Sequence, residues 1–389
     1  MKIGIITFHA SFNYGSMLQA WALQTYLESL GHEVHIVNYR SRIQRLTYHK
    51  PIDFHNVENS LSSCKRLLLY PSSIKPLNKK WHLFDDFLHH ELHLTKEYHT
   101  VRELEQAHFD FDLLICGSDQ IWNTNAPDSG EAYYGNWFKG RKISYAASFG
   151  QFPENIDMDF VKAQMKNFSA LSVREEKTKN VLFEAYLTKD IAVVCDPTLL
   201  LPAETYHALA RGESLVKERY IFFYTPVGMP YEYFTIANNL AERTGIEVVT
   251  EKAYYPKDLK KYPHIHEYLP TGPREFLNLV KNATIVCGGS FHLQVFSILF
   301  HKNFYCINGD KDARTNNLLS KCGLENRIIS LDKPNEITNS TISEWEAVDY
   351  RLHDEAKASE NWLRETAKGI VTARRNNEFG NGGCAKTLI

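Results

Sequence analysis

No two of the seven cysteines are spaced as a CxxC pair, and they are scattered over the 389 residues. That spacing argues against a zinc ribbon and a disulfide framework, so no metal site is expected. Long apolar runs are also missing, since nothing approaches the roughly 20 residues needed to cross a bilayer. The opening MKIGIITFHASFNYGS is a short apolar run entering a glycine turn, without the longer core and cleavage site of a secretory signal. A cytoplasmic protein is the expectation. Charge of one sign is lacking too: 44 Lys and Arg face 46 Asp and Glu, a formal net charge of -2. With no Lys/Arg-rich recognition module either, nucleic acid is not an expected partner. Neither GxGxxG nor the Walker phosphate loop occurs, which removes support for nicotinamide cofactors and direct ATP use. No cofactor is expected.

What is present is ordinary globular composition, 43% apolar and 23% charged, at a length that favours two domains. The most informative stretch is Ala283 to Phe304, ATIVCGGSFHLQVFSILFHKNF. Thr284 to Cys287 has strand length, Gly288 and Gly289 break it, and Leu293 to Phe300 continues at helical spacing. Ser290, Phe291 and His292 therefore fall in a strand-to-helix turn. In open α/β sheets ligands bind at the carboxyl ends of strands, and free N–H groups at a helix start favour an anion. The alternative for His292 is an ordinary hydrogen-bonded turn residue.

Elsewhere the pattern repeats. KIGIITF reads as a strand, Leu18 to Leu30 as a helix closed by Gly31, and EVHIVNY as a second strand. The loop between the first two brings Asn13, Tyr14 and Gly15 to a helix start. Residues 40–110 are rich in Lys, Arg and His, and read as a partly mobile insertion. It would be either a solvated helix surface or a peripheral contact with an anionic lipid surface at the inner face of the membrane or with a polyanionic acceptor. FDLLIC then runs into GSDQIWN, a second strand-end loop with Ser118, Asp119, Gln120, Trp122 and Asn123. Lys142 to Phe149 and Ala170 to Val173 read as strands, the latter delivering Arg174. Asp196 before Pro197 reads as a turn residue. A second α/β alternation follows, giving an α/β fold of two Rossmann-like domains facing a cleft, residues 1–200 and 201–350. Residues 351–389 add a terminal helix and a tail, ARRNNEFGNGG, too polar to pack.

These loops occur in a recognisable order. NYGSMLQAWALQTYLESLGHEV, LLICGSDQIWN, ISYAASFG, LSVREE, CDPTLLL, SFHLQVFSILFHKNF and ARTNNLLSKCGLENR resemble, from Ile3 to about Arg327, the polysaccharide pyruvyl transferase family. The resemblance implies a GT-B-like architecture with a C-terminal helix crossing back, donor contacts mostly from the second domain and acceptor contacts from the first. It implies transfer of pyruvate from phosphoenolpyruvate onto two hydroxyls of a sugar as a cyclic ketal. The partners would be phosphoenolpyruvate and a lipid- or nucleotide-linked saccharide. One departure stands out: the family's Arg-Leu-His is Ser290-Phe291-His292 here, and Leu293 stands where related Ser-Phe-His-Gly sequences have glycine.

Ketal formation needs a proton donor, contacts for carboxylate and phosphate, and a base near the acceptor. His292 suits the first role because imidazole titrates near neutrality. Arg174 suits bidentate anion binding, the alternative being a surface pair with Glu175 or Glu176. Arg314, Ser290 and Phe291 complete the expected donor side. Asp119 is the expected general base, or alternatively the N-cap of a following helix. Trp122 is expected to stack on a sugar face, with Asn13, Tyr14, Gly15, Ser118, Gln120 and Asn123 around it. A glycosyltransferase using a nucleotide-sugar and a non-catalytic saccharide-binding relative remain open alternatives.

Overall fold

The computed structural model describes all residues except 151–156, 187–189, 227–229, 252–260, 335–336, 338–340 and 381–389. The first half runs β1 (Lys2–Ile6), α1 (Tyr14–Ser29) and β2 (Glu33–Ile36), then α2 (Arg42–Thr47), α3 (Val57–Leu69), α4 (Pro71–Glu91) and α5 (Val101–Gln106). It continues with β3 (Leu113–Cys116), β4 (Lys142–Ser144), α6 (Met158–Met165), β5 (Leu171–Val173), α7 (Glu176–Tyr186) and β6 (Ile191–Val193). Strands such as LLIC are buried on both faces and apolar without alternation, the signature of a parallel sheet. The order is β2-β1-β3-β4, all parallel. Bridges Ile143–Ala170 and Ala147–Val173 extend it toward the β5–β6 pair.

The second half runs α8 (Ala203–Leu209), β7 (Ile221–Tyr224), α9 (Glu232–Thr244), β8 (Val248–Glu251), β9 (Ile265–Leu269), α10 (Pro273–Asn282) and β10 (Ile285–Gly288). After these come α11 (Phe291–Leu299), β11 (Asn303–Ile307), α12 (Ala313–Cys322), β12 (Ile328–Ile329) and α13 (Trp345–Gly380). Its sheet is β12-β11-β10-β7-β8-β9, a doubly wound order. The chain reverses direction across each sheet between β1 and β3 and between β7 and β10. The loops after β1, β3 and β10 are the ones the sequence singles out, and topology sets all three at switch points.

Several expectations shift. α1 begins at Tyr14 rather than Leu18, because Asn13 Oδ1 accepts from Gly15 N and Ser16 N and starts the helix four residues earlier. The strand at Lys142 stops at Ser144, with Ala146 at φ 50 breaking extended geometry. β9 and β12 are additional. Residues 40–110 hold four helices, and Pro71 opens α4 at a position where proline costs no hydrogen bond.

The halves are tied at α1, at α4 and at α13. Tyr14 stacks on Phe276 with ring centroids 4.5 Å apart, and its hydroxyl lies 2.6 Å from Thr271 Oγ1 and donates to Glu251 Oε2 at 3.0 Å. Lys80 pairs with Glu251, while Arg274 reaches Asp86 at 2.7 Å and Glu91 at 2.6 Å. α13 holds the second domain through Arg351, which donates to Cys322 O at 2.6 Å, and then crosses back. There Cys195 N donates to Ser359 Oγ at 2.8 Å, Arg364 donates to Tyr26 OH at 3.2 Å, and Arg141 donates to Thr366 O at 3.0 Å.

Candidate active site

Between the two sheets lies a cleft of about 390 Å³, with walls of opposite character. The second domain supplies Ser290, Phe291 and His292 at the start of α11, together with Lys311 and Arg314 beside α12. Ser290 is the N-cap of α11 and makes no capping hydrogen bond. The uncapped start of this helix, its positive dipole end, therefore lies at the cleft. Gly288, at φ 155, makes the turn possible, since a Cβ there would sit 1.8 Å from Tyr224 O. Arg314 is fixed by Asp312, which accepts from its Nε at 2.9 Å and from its Nη2 at 2.8 Å.

The first domain supplies carboxylates. Asp119 sits in a left-handed turn at φ 71, and its Oδ2 accepts from Ser16 Oγ at 2.6 Å. Among the described residues no helix starts at Asp119, so it is not an N-cap. Asp128 also lines the cleft, with Ser11 Oγ donating to it at 3.3 Å. Burial raises the Asp128 carboxyl above its ordinary value, outweighing the Ser11 hydrogen bond. Gln120 and Asn123 line the same wall, and the Gln120 amide, assigned with its oxygen toward the second domain, accepts from Arg314 Nη2 at 3.0 Å.

His292 stands where the walls meet. Its Nε2 is 3.5 Å from Asp196 Oδ2, and a Cβ on Gly15 would lie 2.0 Å from its Nδ1. Gly15 thus serves by clearance, letting α1 close on the imidazole. Asp196 is 1% exposed and collects Arg174 Nη1 at 2.6 Å on Oδ2 and Thr198 N at 3.0 Å on Oδ1. Burial alone would raise its carboxyl, but His292 and Arg174 override burial and hold it well below the usual carboxylate range.

Several sequence expectations are corrected here. Arg174 is no surface residue: it is 3% exposed, paired with Asp196, with its guanidinium 4.9 Å from the Phe291 ring centroid. It stands behind the cleft wall rather than in it, because β5 lies two strands beyond β3 and the switch point. Trp122 is wholly buried against Tyr134, Phe149 and Phe168 and offers no face to a sugar. Ser118 is likewise buried, donating to Ala146 O at 3.1 Å, and Tyr14 is spent on the domain contact. Asn13 lines the cleft while capping α1. Asp128 was missed because nothing in NAPDSG marks a chemical motif. Asp196, read as a turn residue, does cap a short turn, yet the same carboxylate joins Arg174 to His292; its place within CDPTLLL was the available signal.

An interdomain cleft at two switch points, with Lys311, Arg314 and Asp312 on one wall and Asp119 and Asp128 on the other, belongs to an α/β protein of GT-B architecture. The chain belongs to the polysaccharide pyruvyl transferase family, whose model matches residues 13–311. No curated protein matches it significantly. Among solved structures it is similar to UDP-GlcNAc 2-epimerase from Methanocaldococcus jannaschii in complex with UDP-GlcNAc and UDP. That likeness has TM-score 0.53 and 15% identity over 95% of this chain and 100% of that one. It is also similar to UDP-N-acetylglucosamine 2-epimerase from Rickettsia bellii, with TM-score 0.57 and 9% identity over 97% of this chain and 99% of that one. At such identities the likeness concerns fold alone.

Proposed function

We propose that the protein transfers pyruvate from phosphoenolpyruvate onto a sugar of a surface-polysaccharide precursor, forming a cyclic ketal and releasing phosphate. The observation that carries this reading is His292 held between a cationic wall and a carboxylate wall in one cleft. Phosphate and carboxylate of the donor would lie against Arg314, Lys311 and the start of α11, close to Ser290 and Phe291. His292 delivers a proton to the methylene carbon, leaving an oxocarbenium-like centre. A sugar hydroxyl adds there as its proton passes to Asp119 or Asp128. Phosphate then leaves, and a second hydroxyl adds with loss of its proton to close the ketal. Of the two carboxylates, Asp128 is the better base, because burial raises its carboxyl toward the operating pH. Arg174 and Asp196 position His292 and Phe291 rather than touching the donor. Gln120 and Asn123 take the acceptor, a lipid- or nucleotide-linked saccharide.

The test is incubation with phosphoenolpyruvate and a panel of such acceptors, reading phosphate release and the mass gained by the sugar. His292→Ala should lower turnover by about 10²- to 10⁴-fold, the usual worth of a general acid. Unchanged turnover in that variant would remove the mechanism. A second reading, a glycosyltransferase with a nucleotide-sugar donor, is favoured by Ser290 standing where an arginine would bind the phosphoenolpyruvate anion, and by the fold shared with enzymes solved with UDP-sugars. Protection from heat by a nucleoside diphosphate and not by phosphoenolpyruvate would select it.

A further inference from the structure

Helix α3 is inside out. Its buried positions are polar: Asn59 Nδ2 donates to Asp53 Oδ2 at 2.7 Å, and Ser63 Oγ donates to Asp53 O at 2.9 Å while accepting from Asp53 N. Its solvent side is apolar, with Val57 75%, Leu61 68% and Leu68 82% exposed. Offsets of four and seven residues put these three on one stripe. Leu67, Leu69 and the preceding Phe54 widen the patch. Such an apolar face is uncommon on a soluble surface and marks an interaction site.

The charge around it says what covers it. Residues 41–80 hold eight Lys and Arg (positions 42, 45, 50, 65, 66, 75, 79 and 80) against two acids, Asp53 and Glu58, in a chain whose formal net charge is -2. Arg42, Arg45, Lys65, Lys75 and Lys79 are exposed. A second copy would bring the same positive face against itself, whereas an anionic bilayer offers acyl chains for the leucines and headgroups for the cations. We propose that α3 docks on an anionic phospholipid surface, lying in the interface with Leu61 and Leu68 toward the acyl chains. Beside it Arg40, Arg42, Arg45 and Lys50 line a groove of about 560 Å³ that also includes Tyr48. Tyr48 lines the interdomain cleft as well, so docking sets the cleft against the membrane. The docking itself does not depend on the reaction proposed above.

The test uses the full chain with vesicles of phosphatidylcholine alone or mixed with phosphatidylglycerol. Co-sedimentation should be strong on the mixed vesicles, weak on the neutral ones, and reduced by salt. L61E/L68E should lower apparent affinity for mixed vesicles by more than about tenfold without changing the thermal midpoint. Should that variant unfold, an environment-sensitive dye on Cys64, which is exposed on α3, reports the same contact once Cys384 is replaced by serine. Its emission should shift to the blue on mixed vesicles. No binding to them, undiminished binding by a folded L61E/L68E, or an unmoved dye would overturn the proposal. So would a lipid-free dimer, seen by sedimentation velocity, that L61E/L68E dissolves.

Discussion

Asp196 shows how one buried carboxylate organises its neighbours. It is held ionised by Arg174 and His292 against the cost of burial, so its carboxyl in the folded chain lies below the value near 3.9 of an unfolded one. The sign follows: the carboxyl adds stability that is present in full above the unfolded value and is lost as pH falls below it toward the folded one. Asp196→Asn should therefore cost about 3–5 kcal/mol near neutral pH, the penalty for stranding a buried partner, here Arg174. In urea titrations the gap from wild type should begin to shrink as pH falls toward about 3; a gap of undiminished size at that pH would contradict the pairing. Asp128 has the opposite sign. Its carboxyl is raised by burial, so Asp128→Asn should stabilise the fold above neutrality while lowering turnover about 10²- to 10⁴-fold. A variant that is both destabilised and fully active would refute that assignment. Clearance at Gly15 is equally local: Gly15→Ala drives a methyl into the imidazole, and should lower turnover at least tenfold with only a small change in unfolding midpoint.

At the scale of elements, what could be read beforehand was what local pattern carries. Buried parallel strands announce themselves as unbroken apolar runs, and the glycine pair after Cys287 marks the turn that opens α11. That is why the loops after β1, β3 and β10 were legible as site loops. Whether a residue in such a loop points into a cleft or into the core is set by neighbours distant in sequence. Trp122 turned inward because Tyr134, Phe149 and Phe168 assemble a pocket for it, and Arg174 because Asp196 waits one strand away. The inverted polarity of α3 escaped for a related reason. Its apolar stripe has the period of a helix packed on a core, and only the fold tells that the stripe faces out.

For the whole molecule, the two domains share a hydrophobic core that joins α1 and α4 to α10 and α11, and α13 staples them from outside. Tyr14→Phe deletes the hydroxyl shared with Thr271 and Glu251, and should cost about 1–3 kcal/mol in chemical denaturation, most of it in the coupling between domains. No change in the unfolding midpoint would show that the hydroxyl carries none of that coupling. Tyr14 and Gly15 are consecutive: the first grips the second domain and the second admits His292. A rotation that stretches the grip by a few ångströms must also slide α1 off the imidazole. The grip on the second domain and the clearance for the imidazole are thus one mechanical part of α1, and a substitution that loosens the first is expected to disturb the second.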